Sequence, residues 1–101
     1  MRRSTISGYQ GPVDILTDED IVVAQAACRY RAEEDAAGAD HWQGRLHRID
    51  PPNAIAPGRY RLRIAGTQHG EIAIPAVAPG SRVVYFDGIG RRPDRLASHV
   101  S

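Results

Sequence analysis

Residues 21–38 read IVVAQAACRYRAEEDAAG, and the fold turns on whether they form a helix or a strand. As a helix the stretch has Thr17 for a cap, Asp18, Glu19 and Asp20 in its first turn, abundant alanine and Gly38 as a stop. Arg29 with Glu33 and Arg31 with Asp35 would then pair at i, i+4. As a strand it opens on β-branched Ile21, Val22 and Val23, and it places Val22, Ala24, Ala26, Cys28 and Tyr30 on one face with Arg29 and Arg31 on the other. On that reading Thr17–Asp20 is a hairpin loop. Propensity alone favours the helix slightly.

The sequence on either side reads as strand. Upstream, Gly8–Leu16 puts Val13 and Ile15 on one face of an extended run, with Pro12 suited to an edge or a strand start. Downstream, HWQGRLHRI (41–49) alternates Trp42, Gly44 and Leu46 against His41, Gln43, Arg45 and His47, and the turn-rich DPPNAIAPG (50–58) closes it. GRYRLRIA (58–65) alternates without fault. Gly66–Gly70 forms the next turn, EIAIPAV (71–77) a short strand, Ala78–Gly80 a turn, and SRVVYFDG (81–88) a strand with Val84 and Phe86 opposite Val83 and Tyr85. Short strands at this spacing predict an all-β fold, a small antiparallel barrel or sandwich of about six strands, with any helix confined to the region of Asp35. Residues 8–93 form one domain, with flexible segments at 1–7 and 94–101.

Three short motifs resemble those of a small actinobacterial all-β domain family of unknown function, found alone or at the C-terminus of flavin-dependent monooxygenases. They are Tyr9-Gln10-Gly11-Pro12, then Trp42, Gly44 and Arg45, then Gly88, Gly90, Arg91 and Pro93. The resemblance spans residues 8 to 93. It implies a hairpin at Thr17–Asp20 and a long strand over 21–32, against the preference from propensity, and it brings no catalytic residues. The alanines at 24, 26 and 27 and the acidic AEEDAAGAD (32–40) depart from the family pattern.

At 101 residues the chain suits a single domain that buries roughly 60–70% of its unfolded surface. With 42% hydrophobic and 25% charged residues it is far from a disordered composition. Its single cysteine, Cys28, excludes an intramolecular disulfide framework and leaves too few soft ligands for a structural zinc. The basic opening Met1-Arg2-Arg3 has no apolar run behind it, and no stretch reaches membrane-spanning length, so a cytoplasmic protein without membrane contact is expected. All thirteen basic residues are arginine. Residues 1–40 carry four arginines against eight acids and residues 41–101 nine against four, giving halves of about −4 and +5 that attract each other or form an anion-binding face.

The most regular candidate site is Arg59, Arg61 and Arg63, which alternate with Tyr60, Leu62 and Ile64. Such a row is either a solvated face paired with neighbouring carboxylates or a donor-rich surface for phosphate or carboxylate, joined by Arg45 and His47 if the third and fourth strands pair. A flavin or nicotinamide phosphate would fit it. Nucleic acid suits it less, because Tyr30, Trp42, Tyr60 and Tyr85 are its only stacking residues and the charge is nearly balanced. Trp42, Tyr60 and Tyr85 are core residues or a ligand platform, and the alanines at 24 and 26 leave room for a small ligand inside a barrel or for bulky neighbours. The ligand-binding candidates are therefore Trp42, Tyr60, Tyr85, Arg45, Arg61 and Arg63.

Catalytic motifs are lacking. His69-Gly70-Glu71 is without the Pro-Cys-x-x-Cys half of a zinc deaminase, and Gly88-Ile89-Gly90 is without the third glycine of a dinucleotide fingerprint. Cys28 reads as a buried strand residue more readily than as a nucleophile. Acid or base chemistry would fall to Glu33, Asp35, Asp87 or His47, whose spacing ties no two of them to one site. Neither a metal nor a cofactor is implied. The leading expectation is a non-catalytic accessory or small-molecule-binding domain of oxidative or secondary metabolism, with a small anionic or aromatic ligand or a flavoprotein partner. The alternatives are a compact barrel enzyme, of cyclase or isomerase type, acting on a natural-product intermediate, and a protein-interaction or homodimerisation module using an exposed strand edge.

Overall fold

Val22–Glu34 is one extended strand, β2, hydrogen-bonded on one side to Ile6–Leu16 (β1) and on the other to Asp40–Asp50 (β3). The helix that propensity prefers does not form. Side chains along β2 alternate with period two, Ala24, Ala26, Cys28, Tyr30 and Ala32 buried and Gln25, Arg29, Arg31 and Glu33 exposed. Two hydrogen-bonded neighbours and a buried face outweigh the few tenths of a kcal/mol per residue by which alanine favours helix. The i, i+4 pairs of the helical reading are gone, and Asp35 sits beside His41 instead.

The computed structural model describes residues 6–64 and 68–93. Among them six antiparallel strands, completed by Gly58–Arg63 (β4), His69–Ile74 (β5) and Val83–Ile89 (β6), close into a barrel in the order β1-β2-β3-β6-β5-β4, with no helix. Residues 35–38 form a tight turn in which Gly38 N–H bonds Asp35 O at 3.0 Å, so the helix allowed there is absent. Thr17–Asp20 is the expected hairpin loop, its Thr17 Oγ1 accepting the N–H groups of Glu19 and Ile21. His69 and Gly70, expected in a turn, open β5. Ile6 and Ser7, expected in a flexible terminus, belong to β1. The expectations for residues 1–5, 65–67 and 94–101 lie outside the described residues.

β1, β2 and β3 follow one another, but β3 is flanked by β2 and β6, while β4 pairs with β5 and closes on β1 through Asp14–Arg63, Ile15–Leu62 and Leu16–Arg61. The core is the inner face: Ile15, Leu46, Leu62, Ile72, Val84 and their neighbours. Each such side chain contributes about 1.5–3 kcal/mol by leaving water.

Aromatic rings form a continuous part of the core. Tyr9, Tyr30, Trp42 and Phe86, from β1, β2, β3 and β6, pack in sequence with centroids 5.9, 5.1 and 5.8 Å apart. Tilted and edge-on contacts of this kind add about 0.5–1.5 kcal/mol each beyond burial. Several residues of the short sequence motifs make fold contacts here. The Tyr9 hydroxyl donates to Pro12 O at 2.7 Å. Gly44 lets β2 and β3 meet over Tyr30, since a β-carbon there would lie 2.6 Å from Tyr30 Cβ.

The C-terminal stretch closes the end of the barrel at which β3 begins. Trp42 Nε1–H donates to Gly90 O at 2.9 Å, Arg92 N–H and Nη1 donate to the Asp40 carboxylate at 3.1 and 3.3 Å, and buried Pro93 packs on Gly70. At the other end the β3–β4 connection turns Ile55 into the core.

Candidate functional site

The outer face of β2, β3 and β6 carries three arginines that no ion pair engages among the described residues. Period two sends Arg29 and Arg31 outward from β2, Gln43 and Arg45 from β3, and Tyr85 and Asp87 from β6. Register then makes two rows: Arg29 opposite Arg45 opposite Tyr85, and Arg31 opposite Gln43 opposite Asp87. These six side chains line an open groove of about 540 Å³, with Pro75 at its rim.

Like charges directly opposite on neighbouring strands are destabilising. Among the described residues the ion pairs are Arg61–Asp20, Arg63–Asp14, Arg92–Asp40 and His41–Asp35, and none relieves Arg29, Arg31 or Arg45. Tyr85 stands 65% exposed among these arginines, whereas Tyr9, Tyr30, Trp42 and Phe86 pack against one another.

The arginine row of β4 behaves differently. Arg63 donates from Nε and Nη2 to Asp14 Oδ2 at 3.1 and 2.7 Å, and that bond holds the Asp14 carboxyl below the usual carboxylate range. Arg61 pairs with Asp20 and has Glu71 across from it. Arg59 lies opposite Ala73. Two of the three are therefore answered by carboxylates, as a solvated, paired face would be. β3 and β4 are not neighbours, so Arg45 and His47 do not join this row.

The other candidates scatter. Trp42 is in the core, and half-buried Tyr60 accepts the Ala56 N–H at 3.1 Å. Glu33 and Asp87 share a second open groove of about 520 Å³, beside Arg31 and His41. Asp35 caps its own turn, accepting the N–H groups of Ala37 and Ala39 at 2.9 and 3.0 Å and His41 Nε2 at 2.8 Å. The His41 hydrogen bond, ahead of those from the backbone, lowers its pKa. His47 lines a third groove of about 580 Å³ with Cys28, and its Nδ1 is buried without a hydrogen-bond partner among the described residues. Burial pushes the Cys28 thiol up to about 12, which removes it as a nucleophile near neutral pH.

Of the sequence candidates, Arg45, Tyr85 and Asp87 meet in one place. Arg29 and Arg31, which are not among the sequence candidates, complete it; their Arg-x-Arg alternation is the signal that a strand reading of residues 21–34 supplies. No group of three or more His, Cys, Asp or Glu able to hold a metal ion occurs among the described residues. No helix there is long and apolar enough to cross a membrane.

By fold and site the chain is a small closed antiparallel β-barrel with a cationic groove on its outer wall. No protein-family model, curated protein or solved structure matches it.

Proposed function

We propose that this protein is a non-catalytic small-molecule-binding domain that takes an anionic ligand on the outer face of β2, β3 and β6. The observation that carries this reading is the cross-strand pair Arg29–Arg45, without an ion-pair partner among the described residues and next to exposed Tyr85. Proteins that break a local rule of strand pairing without structural compensation do so most often at functional sites. An arginine cluster also suits carboxylate or phosphate, because each guanidinium offers a planar fork of donors. The barrel interior, with its aromatic rings, serves stability instead of binding. General acid or base work calls for a carboxylate or histidine in a dry pocket; Glu33, Asp35 and Asp87 are exposed, and half-buried His47 lines a different groove from Glu33 and Asp87. The resemblance to a monooxygenase-associated actinobacterial family extends the proposal to an accessory role beside a flavoprotein in the cytoplasm.

An NMR titration of ¹⁵N-labelled protein with inorganic phosphate tests the binding reading. Amide shifts should concentrate at Arg29, Arg31, Arg45 and Tyr85 and vanish in the Arg29→Ala, Arg45→Ala double variant. Shifts centred on Arg61 and Arg63, or none at all, would overturn it.

A second reading has its own observation. β4 pairs with β1 only at Asp14–Leu16, so among the described residues Ile6–Val13 has a strand neighbour on one side only. An open edge of this kind can pair with a second copy of the chain. Light scattering across a concentration series decides it: a mass that stays monomeric rejects the homodimer.

A further inference from the structure

Resting on the anion-binding reading, we infer that the groove of β2, β3 and β6 takes a nucleoside monophosphate whose base carries an amino group. Three features of the groove combine to specify it.

The first is charge. Arg29, Arg31 and Arg45 against Asp87 leave a local charge of +2. A carboxylate would cancel half of that. A phosphate monoester, whose charge at neutral pH is about −1.5 to −2, cancels nearly all of it. Arg29 and Arg45 face each other across a strand pair, and Arg31 lies two residues along β2, roughly 7 Å away. Long arginine side chains at that spacing can converge on one tetrahedral group, each through two N–H donors.

The second is a flat apolar surface beside the charge. Tyr85 is the cross-strand neighbour of Arg45, so a ring resting on it keeps an attached phosphate within reach of the arginines. Its exposure leaves the ring open to stacking, a contact that any nucleobase can make because each has a π-face.

The third is an acceptor that a plain anion site would exclude. Asp87 is exposed on the same strand and face as Tyr85, two residues on, with Gln43 across from it. A carboxylate repels phosphate, but it accepts hydrogen bonds from the amino edge of guanine, adenine or cytosine. Uracil offers one N–H between two carbonyl oxygens, which the carboxylate opposes. Arginines for the phosphate, Tyr85 for the ring and Asp87 with Gln43 for its edge thus match the parts of one molecule.

Calorimetric titrations of the full chain with GMP, AMP, UMP, guanosine and inorganic phosphate test this. GMP and AMP should bind about tenfold more tightly than phosphate alone and more tightly than UMP. Tyr85→Ala should weaken GMP by about tenfold and leave phosphate unchanged. Asp87→Asn should erase the preference over UMP while phosphate binds at least as well. Thermal melts of both variants confirm folding, and because both side chains are exposed little change in Tm is expected.

Equal affinity for phosphate and all three nucleotides, unmoved by Tyr85→Ala, would overturn the mononucleotide and leave the anion site standing. No binding of phosphate or nucleotides would remove the anion-binding reading itself. A ten-nucleotide single-stranded RNA binding far more tightly than GMP would overturn the assignment of a small ligand.

Discussion

The indole of Trp42 lies directly over Gly88, so close that a β-carbon at residue 88 would sit 2.1 Å from the ring atoms. The contact joins β3 to β6 beyond their last register pair, Gln43–Asp87, and the next link is the bond from Trp42 Nε1 to Gly90 O. Gly88→Ala must displace either the indole or the end of β6. Overpacking of this sort costs about 1–3 kcal/mol. Trp42 is the single tryptophan of the chain, so its fluorescence reports the site directly. We expect a lower denaturation midpoint and an emission maximum moved to the red. A variant with unchanged emission and stability would show that the ring does not rest on Gly88.

Asp14 and Arg63 tie the seam at which β1 and β4 close the barrel. The Asp14 pKa is lowered chiefly by its hydrogen bond to Arg63. A carboxyl with a depressed folded pKa adds stability that is complete above its unfolded pKa of about 4 and is lost as pH falls through the folded value. Asp14→Asn should therefore cost on the order of 1 kcal/mol at pH 7, and the deficit should shrink below about pH 4. Urea denaturation of both proteins at pH 7 and pH 3 measures it. A deficit equal at the two values would assign the loss to something other than the ion pair.

The strands β3, β4 and β6 were legible because alternation is a local signal that needs no partner to be read. β2 was not. Its alanines and its Arg29–Glu33 and Arg31–Asp35 spacings satisfy a helix locally, and only pairing with β1 and β3 makes the alternate reading win. The site inherits that uncertainty: Arg45 and Tyr85 lie on legible strands, whereas Arg29 and Arg31 lie on the ambiguous one. Strand order leaves no local trace either. The regular arginines of β4 read locally as an anion site, yet Asp14 and Asp20, 49 and 41 residues away from Arg63 and Arg61 in sequence, neutralise two of them.

Cys28 is 0% exposed and its thiol is raised to about 12 by desolvation. At pH 8 the thiolate fraction in the folded protein is then on the order of 10⁻⁴, against about a quarter for an ordinary cysteine. A chromogenic disulfide reagent should react with the native protein only as fast as the barrel opens, and should consume one equivalent at once in concentrated urea. Rapid native reaction at pH 8 would mean that β2 leaves Cys28 accessible and that the wall beside His47 opens readily.

Arg48 bears the local cost of bending β3. Between the pairs Ala27–His47 and Gln25–Asp50, β3 inserts Arg48 and Ile49 opposite the single residue Ala26, and Arg48 takes up the bulge with φ of 53°. Left-handed backbone costs a residue with a β-carbon about 1–2 kcal/mol, and glycine adopts it freely. The bulge also sharpens the local twist, and it turns Arg48, which is exposed, along the groove that His47 and Cys28 line. Glycine relieves the strain but gains entropy in the unfolded chain, so Arg48→Gly should stabilise the protein by about 0.5–1 kcal/mol, less than the whole strain. Guanidinium denaturation reads the change as a higher midpoint at constant slope. A lower midpoint would show that the Arg48 side chain contributes more to the folded barrel than its backbone conformation costs.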